Sequence, residues 1–130
     1  METTFGERIK QLRNDSNLTQ RELADRVAKA LRDREEGRGF DFTYLSKIEN
    51  EKLPPPSTVV IFQLARELKA DCDELLGLAQ KVHPEVQEVF KKSEPARVFF
   101  RSAVDMKLSG ADWEALLEDM KRRKQDFGNQ

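Results

Sequence analysis

The residue types that most often carry catalytic or metal chemistry are scarce in this chain. It has one cysteine, Cys72, and one histidine, His83. An internal disulfide and a cysteine zinc cluster are therefore excluded, and a Ser-His-Asp triad or a histidine metal site has almost no basis. The sequence also lacks a nucleophile elbow, metal-ligand spacing and a phosphate-binding glycine loop. We predict that the protein is not an enzyme and needs no metal or other cofactor.

The overall charge gives no sign of a nucleic-acid partner. The 130 residues carry 23 Lys and Arg against 24 Asp and Glu, a formal net charge of −1 at pH 7. Residues 1–78 hold 13 basic and 15 acidic side chains, or −2, and residues 79–130 hold 10 and 9, or +1. Any basic surface must therefore come from the placement of a few cations rather than from an excess of them.

Hydropathy predicts a protein of the cytoplasm. No stretch approaches the 18 apolar residues that a membrane span needs. The segment Met1–Phe5 has neither the basic nor the apolar region of a signal peptide. Charged residues make up 36% of the chain and hydrophobic residues 38%, which is typical of a helical protein with a charged surface and a small core.

The spacing of apolar residues predicts an all-α chain, because helical periodicity recurs throughout and no useful strand alternation is present. Capping residues and turns divide the first part into five short helices. In chain order these are residues 4–14, Thr19 to about Arg34, Phe42–Asn50 after the N-cap Asp41, a fourth after Ser57, and a fifth from Asp71 to Gly77. Three amphipathic helices follow, beginning near Pro84, Pro95 and Ser109, and the polar end from Lys121 is expected to fray.

Two segments carry a more specific pattern. Residues 18–24 are Leu-Thr-Gln-Arg-Glu-Leu-Ala, and residues 41–50 are Asp-Phe-Thr-Tyr-Leu-Ser-Lys-Ile-Glu-Asn. They resemble the two signature segments of phage-repressor-type (Cro/CI-like, xenobiotic-response-element) helix-turn-helix regulators, and the similarity extends over about residues 5–78. The resemblance implies a five-helix helix-turn-helix DNA-binding domain over 1–78, followed by a short helical dimerisation and regulatory segment over 79–130.

The resemblance also implies roles for individual residues when the third helix lies in the major groove. The positions that read bases in the family correspond to Phe42, Thr43 and Lys47. Thr43 can donate and accept, Phe42 offers an apolar contact suited to a thymine methyl, and Lys47 reaches toward guanine O6 and N7. The alternatives are that Phe42 and Tyr44 serve packing and that Lys47 is an ordinary solvated side chain.

Other matching positions concern phosphates and internal support. Gln20, Asn50 and Lys52 correspond to phosphate-contacting positions of the family. Arg13 and Glu49 match a partly buried ion pair that joins the first helix to the third.

The chain departs from the family pattern in the connection between the second and third helices. Residues 28–38 form an eleven-residue insertion. Its periodicity through Leu31 predicts a longer second helix and a larger turn, so the docking angle of the third helix is less constrained. The insertion carries four cations, and we expect some of them, with Arg38 foremost, to contact phosphates; the alternative is a solvated elongation. The cations are Lys29, Arg32, Arg34 and Arg38.

The C-terminal helices have too little apolar material to form a core alone. They either pack on the first domain or pair with the same segment of a second chain, and we favour pairing, because helix-turn-helix repressors commonly read two-fold operators. The predicted interface consists of Phe99, Phe100, Trp113, Leu116 and Leu117. This segment also resembles those of repressors controlled by a metalloprotease of the ImmA/IrrE type, which implies that cleavage there releases the operator.

The prediction is a sequence-specific repressor that binds double-stranded DNA as a homodimer and has no membrane partner. The alternative is an antitoxin or a protease-regulated interaction protein whose DNA binding is autoregulatory.

Overall fold

The computed structural model describes residues 2–128, and over this range the chain contains helices and no strand, which confirms the all-α prediction. It divides into two compact units, Met1–Pro84 and Glu85–Gln130, six residues beyond the predicted boundary. None of the described helices is both long enough and apolar enough to cross a membrane. The elements are α1 (Phe5–Asp15), α2 (Gln20–Ala30), a 3-10 helix (Glu35–Gly37), α3 (Phe42–Glu49), α4 (Thr58–Leu68), α5 (Cys72–Leu78), α6 (Pro84–Lys92), α7 (Glu94–Asp105) and α8 (Gly110–Gly128).

Side-chain caps define where the first helices begin. Thr4 and Thr19 each form a capping box, in which the threonine oxygen accepts the N–H of the N3 residue and the N3 glutamate accepts the N–H of the threonine. The hydrogen bond from the Thr19 N–H lowers the pKa of Glu22, so this carboxylate is charged at neutral pH. Asp41 caps α3 by accepting the N–H of Tyr44 at 2.8 Å. The Asp41 side chain thus fixes the start of α3.

The core of the first unit lies where five helices meet. α2 packs against α3 and α4, α1 packs against α3 and α5, and α4 packs against α5. α3 therefore has partners on two sides, and its inward residues Leu45 and Ile48 are buried between them. The largest fully buried side chains are Ile9, Leu23, Val27, Leu45, Ile48, Ile61, Leu64, Leu75 and Leu76.

The prediction that helix 2 continues to Arg34 was wrong. α2 ends at Ala30, and Leu31 leaves the helical conformation as the C-cap. The 3-10 helix then packs against α4, and Leu31 and Phe40 are both buried. Ending the helix at Ala30 lets the chain turn back so that Leu31, in the insertion, and Phe40, just after it, are both buried.

Gly37 makes the folded-back insertion possible. A Cβ at this position would lie 2.5 Å from the Cβ of Leu31 and 2.6 Å from its carbonyl oxygen. The part of the insertion after Ala30 therefore folds back on Leu31 and does not continue the helix.

The C-terminal helix also differs from expectation. Fraying is expected from Lys121 to Gln130, whereas α8 is helical to Gly128 and residues 129–130 lie outside the described part of the chain. An ion pair joins Arg123 to Asp119 at 3.0 Å, one helical turn apart, and a longer one joins Lys121 to Glu118 at 3.9 Å. Such pairs stabilise an exposed helix by a few tenths of a kcal/mol each, which offsets the lack of apolar contacts in this part of the helix.

Gly6 provides a test of how α1 packs against the end of α3. A Cβ here would press on the carbonyl oxygen of Ile48 and lie 2.9 Å from that of Glu49, whereas a Cβ at Gly77 meets nothing within 4 Å. We expect Gly6→Ala to lower the free energy of unfolding by about 2 kcal/mol through overpacking. Gly77→Ala should be neutral or stabilising by up to about 1 kcal/mol. Urea denaturation of the two variants measures both, and equal stabilities would contradict the close approach.

Candidate nucleic-acid interface

α3 presents three of the predicted site residues on its outward side. Phe42, Thr43 and Lys47 are exposed, while the intervening Leu45 is buried. Thr43 and Lys47 lie four residues apart, so they are neighbours on one face of the helix. We call Phe42, Thr43 and Lys47 the reading face. The fold therefore brings these three residues together at the surface.

The two aromatic residues at the start of α3 have different environments. Tyr44 is half-buried, and its ring meets that of Phe40 edge-on with centroids 5.5 Å apart. Tyr44 thus serves packing, the alternative role that its position in the sequence allows. Phe42 keeps 41% of its surface exposed, a large fraction for a phenylalanine, so it is available to a partner.

A buried ion pair supports α3 from behind. The Arg13 Nε donates to Glu49 Oε2 at 2.8 Å and its Nη2 donates to Glu49 Oε1 at 2.9 Å. The third donor, Nη1, reaches the carbonyl oxygen of Leu18 at 2.9 Å. The hydrogen bonds to Glu49 raise the pKa of the Arg13 guanidinium above its ordinary value. The structure thus brings Arg13 and Glu49 together as a two-pronged contact between α1 and α3.

Gln20 extends this pair to α2. Its Nε2 donates to Glu49 Oε1 at 3.1 Å, so the Glu49 carboxylate receives hydrogen bonds from both α1 and α2. A side-chain amide nitrogen carries two N–H groups. One is held by Glu49, and the other is left for a partner outside the core. Gln20 is therefore a fixed donor at the N-terminus of α2, in the position predicted to contact a phosphate.

The residues after α3 form the next part of this surface. Asn50 is the C-cap of α3, and its Nδ2 donates to the carbonyl oxygen of Ser46 at 2.9 Å. Lys52 is exposed, and its backbone N–H donates to the carbonyl oxygen of Lys47 at 2.8 Å. The amide of Asn50 is thus partly engaged in ending the helix, whereas the Lys52 ammonium faces solvent.

The cations of the insertion are all exposed, but they differ in whether they form an ion pair. Arg34 is paired with Glu36 at 3.6 Å, and no ion pair involves Arg38 within residues 2–128. Among the described residues Lys29 and Arg32 likewise form no ion pair, so the phosphate contact of Arg38 stays a prediction.

Arg21 also lies at this surface, and the sequence did not predict a role for it. The guanidinium carbon of Arg21 lies 4.3 Å from the centroid of the Phe42 ring, a cation–π contact between α2 and α3. The eleven-residue insertion separates these residues along the chain, so sequence spacing gives no hint that they meet. The only available signal is that each lies in the first turn of its helix in a helix-turn-helix pair.

The second unit exposes the residues that were predicted to form a dimer interface. Phe100 stacks against Trp113 with centroids 6.3 Å apart and meets Phe90 and Phe99 edge-on. Even so, Phe99, Phe100, Trp113, Leu116 and Leu117 each keep more than a third of their surface exposed. We call these five residues the C-terminal apolar face. Over residues 85–126 only Ala103 is buried, so the unit has almost no core of its own.

Among three comparisons with known proteins, the match to a protein family agrees with the fold of the first unit. Residues 6–81 match the family described as a helix-turn-helix domain. A chain of the solved structure titled "SinR protein/SinI protein complex" is 24% identical, with a TM-score of 0.46, and the match covers 94% of this chain and 99% of that chain. The comparison with curated proteins found no match.

The buried ion pair can be tested against an exposed one. Glu49→Gln leaves the Arg13 guanidinium buried without its charged partner, which should cost about 3–5 kcal/mol of folding free energy. The matched control is Arg8→Ala, which removes the exposed Arg8–Glu74 pair and should cost no more than about 1 kcal/mol. Urea unfolding followed by circular dichroism compares them. A loss for Glu49→Gln as small as that for Arg8→Ala would show that the pair does not hold α3.

Proposed function

Because the chain belongs to the helix-turn-helix domain family, we propose that it is a DNA-binding transcription regulator of the Cro/CI-like type, a repressor that binds a two-fold operator as a homodimer. The observation that carries the proposal is the exposed reading face on a helix that a buried ion pair holds in place. A rigid helix with an outward polar face is what docking in a major groove requires.

In the proposed complex the N-terminal half of α3 meets base edges. The Thr43 hydroxyl can donate or accept, its methyl and the Phe42 ring can touch a thymine methyl, and the Lys47 ammonium can donate to guanine O6 or N7. None of these three side chains offers the rigid two-pronged donor of an arginine. Direct reading by this face is therefore modest, and deformation of the DNA supplies part of the specificity.

A few placed groups supply the phosphate contacts in this proposal. They are the free N–H of the Gln20 amide, Asn50, the Lys52 ammonium and Arg38. The capping box at Thr19 and Glu22 already occupies part of the N-terminus of α2, so the backbone contribution there is limited to its first amides. With a net charge of −1 on the chain, non-specific binding should be weak, and the small number of phosphate contacts should make its dependence on salt shallow.

The homodimer is proposed on the C-terminal apolar face. Exposed apolar patches of this kind on a unit without a core mark an association surface. The same face of a second chain is the simplest partner that could bury these residues. Such a dimer would bring two reading faces to one DNA duplex. Two linked half-site contacts raise the overall affinity far above that of either alone, which offsets the weak electrostatic attraction.

The alternative proposal is an interaction protein, such as an antitoxin, whose DNA binding is autoregulatory. The C-terminal apolar face supports it equally well, since a different protein could cover the same residues. Sedimentation of the purified chain separates the two: a concentration-dependent dimer favours the repressor, and a monomer at all concentrations favours the interaction protein.

We further propose, on the resemblance of residues 79–130, that an ImmA/IrrE-type metalloprotease can end DNA binding by cutting this segment. Incubation with such a protease that leaves the chain intact would refute this.

The reading face can be tested by a double substitution. Thr43→Ala combined with Lys47→Ala should lower the preference for operator over random DNA roughly tenfold or more, because it removes the polar base contacts of the reading face. Both side chains are exposed, so helicity and oligomeric state should stay unchanged. Fluorescence anisotropy with operator and scrambled duplexes measures the preference. An unchanged preference would place base reading elsewhere, and loss of helicity would make the two residues structural.

The C-terminal apolar face can be tested at Trp113. Trp113→Ala should weaken the dimer by roughly 3 kcal/mol, since it removes a large aromatic side chain from the proposed interface. Trp113→Phe, which keeps an aromatic ring, is the matched control and should have a much smaller effect. Analytical ultracentrifugation at low protein concentration reports both. Identical dissociation constants for the two variants and the parent would exclude Trp113 from the interface.

A further inference from the structure

Arg21 lies where the N-termini of α2 and α3 approach each other. It is the second residue of α2, and its guanidinium carbon is 4.3 Å from the ring centroid of Phe42, the first residue of α3. Both side chains are exposed. The contact therefore joins a cation on the supporting helix to the one aromatic member of the reading face.

The Phe42 ring restricts Arg21 without consuming its hydrogen-bond donors. Within residues 2–128, no carboxylate forms an ion pair with Arg21. A cation–π contact holds a guanidinium through the ring electrons and takes up none of its five N–H groups in hydrogen bonds to an acceptor atom. Arg21 is thus an ordered donor with free capacity at the edge of the reading face.

The reading face itself lacks a donor of the kind that Arg21 provides. Thr43, Lys47 and Phe42 provide no planar, two-pronged donor, whereas an arginine matches the O6 and N7 acceptors of guanine. The phosphate-facing position at the start of α2 is already taken by Gln20, which is fixed by Glu49. Arg21 is one residue further along and in contact with the residue expected to touch a thymine methyl.

We propose that Arg21 is a specificity-determining residue that reads a guanine in the base pair next to the thymine contacted by Phe42. This inference rests on the proposed function, because it requires α3 to lie in the major groove. Arg21 and Phe42 then act as one unit that selects adjacent thymine and guanine on the DNA. Phe42 has two tasks, since its ring both touches the methyl group and holds the guanidinium.

Selection of bound duplexes from a random pool tests the proposal with the full chain. The parent protein should enrich half-sites in which a guanine adjoins a thymine. Arg21→Ala should reduce the preference for that guanine roughly tenfold, the scale of one good two-pronged base contact, and should leave the other positions unchanged. Arg26→Ala, an exposed arginine of α2 outside the stack, is the matched control and should select the same sequences as the parent.

A second variant and a series of salt concentrations distinguish a base contact of Arg21 from a contact with the DNA backbone. Phe42→Leu keeps an apolar contact but removes the ring, so it should weaken the guanine preference and retain the preference for thymine.

If Arg21→Ala instead lowers affinity equally for all sequences and reduces the salt slope by about one phosphate, Arg21 contacts the DNA backbone and the inference is wrong. An Arg21→Ala selection identical to the parent's also overturns it. A parent protein that enriches no sequence overturns the proposed function and this inference with it, whereas a parent that enriches a site lacking the guanine overturns the inference alone.

Discussion

The contact on which the position of the reading face depends is the buried pair between Arg13 and Glu49. Glu49 is the last residue of α3, and its carboxylate side chain is 1% exposed, so an unpaired charge there would be strongly destabilising. It is satisfied by Arg13 from α1 and by Gln20 from α2. A single carboxylate thus fixes three helices relative to one another. The orientation of the reading face, and the position of the Gln20 amide, both follow from this one site.

The two units differ in how much of their apolar surface is buried. The first unit buries a continuous core and can present α3 on a stable frame. The second joins its helices through a few aromatic contacts and leaves the C-terminal apolar face exposed. For a chain with no excess of positive charge, binding DNA through a small number of contacts per copy is weak. Association through the second unit would compensate by linking two such sets of contacts.

Local signals in the sequence predicted most of the first unit. Helix starts are set by capping side chains such as Thr19 and Asp41, and these are readable one residue at a time. The end of α2 was not predictable in this way, because Leu31 continues the helical stripe and only the fold of the insertion makes a turn more favourable there. The pairing of Arg21 with Phe42 was missed for a related reason: it depends on how two helices meet across the insertion. The roles assigned to the reading face remain predictions that the geometry supports.

The central claim is that two copies of the chain present two reading faces to one symmetric operator. Selection of bound duplexes by the full chain, followed by the stoichiometry of the selected complex in sedimentation, tests it most directly. The account predicts an inverted repeat with half-site centres about 34 Å apart, or a multiple of that distance, bound by two chains. A single unrepeated site bound by one chain, or no enriched sequence, would contradict it.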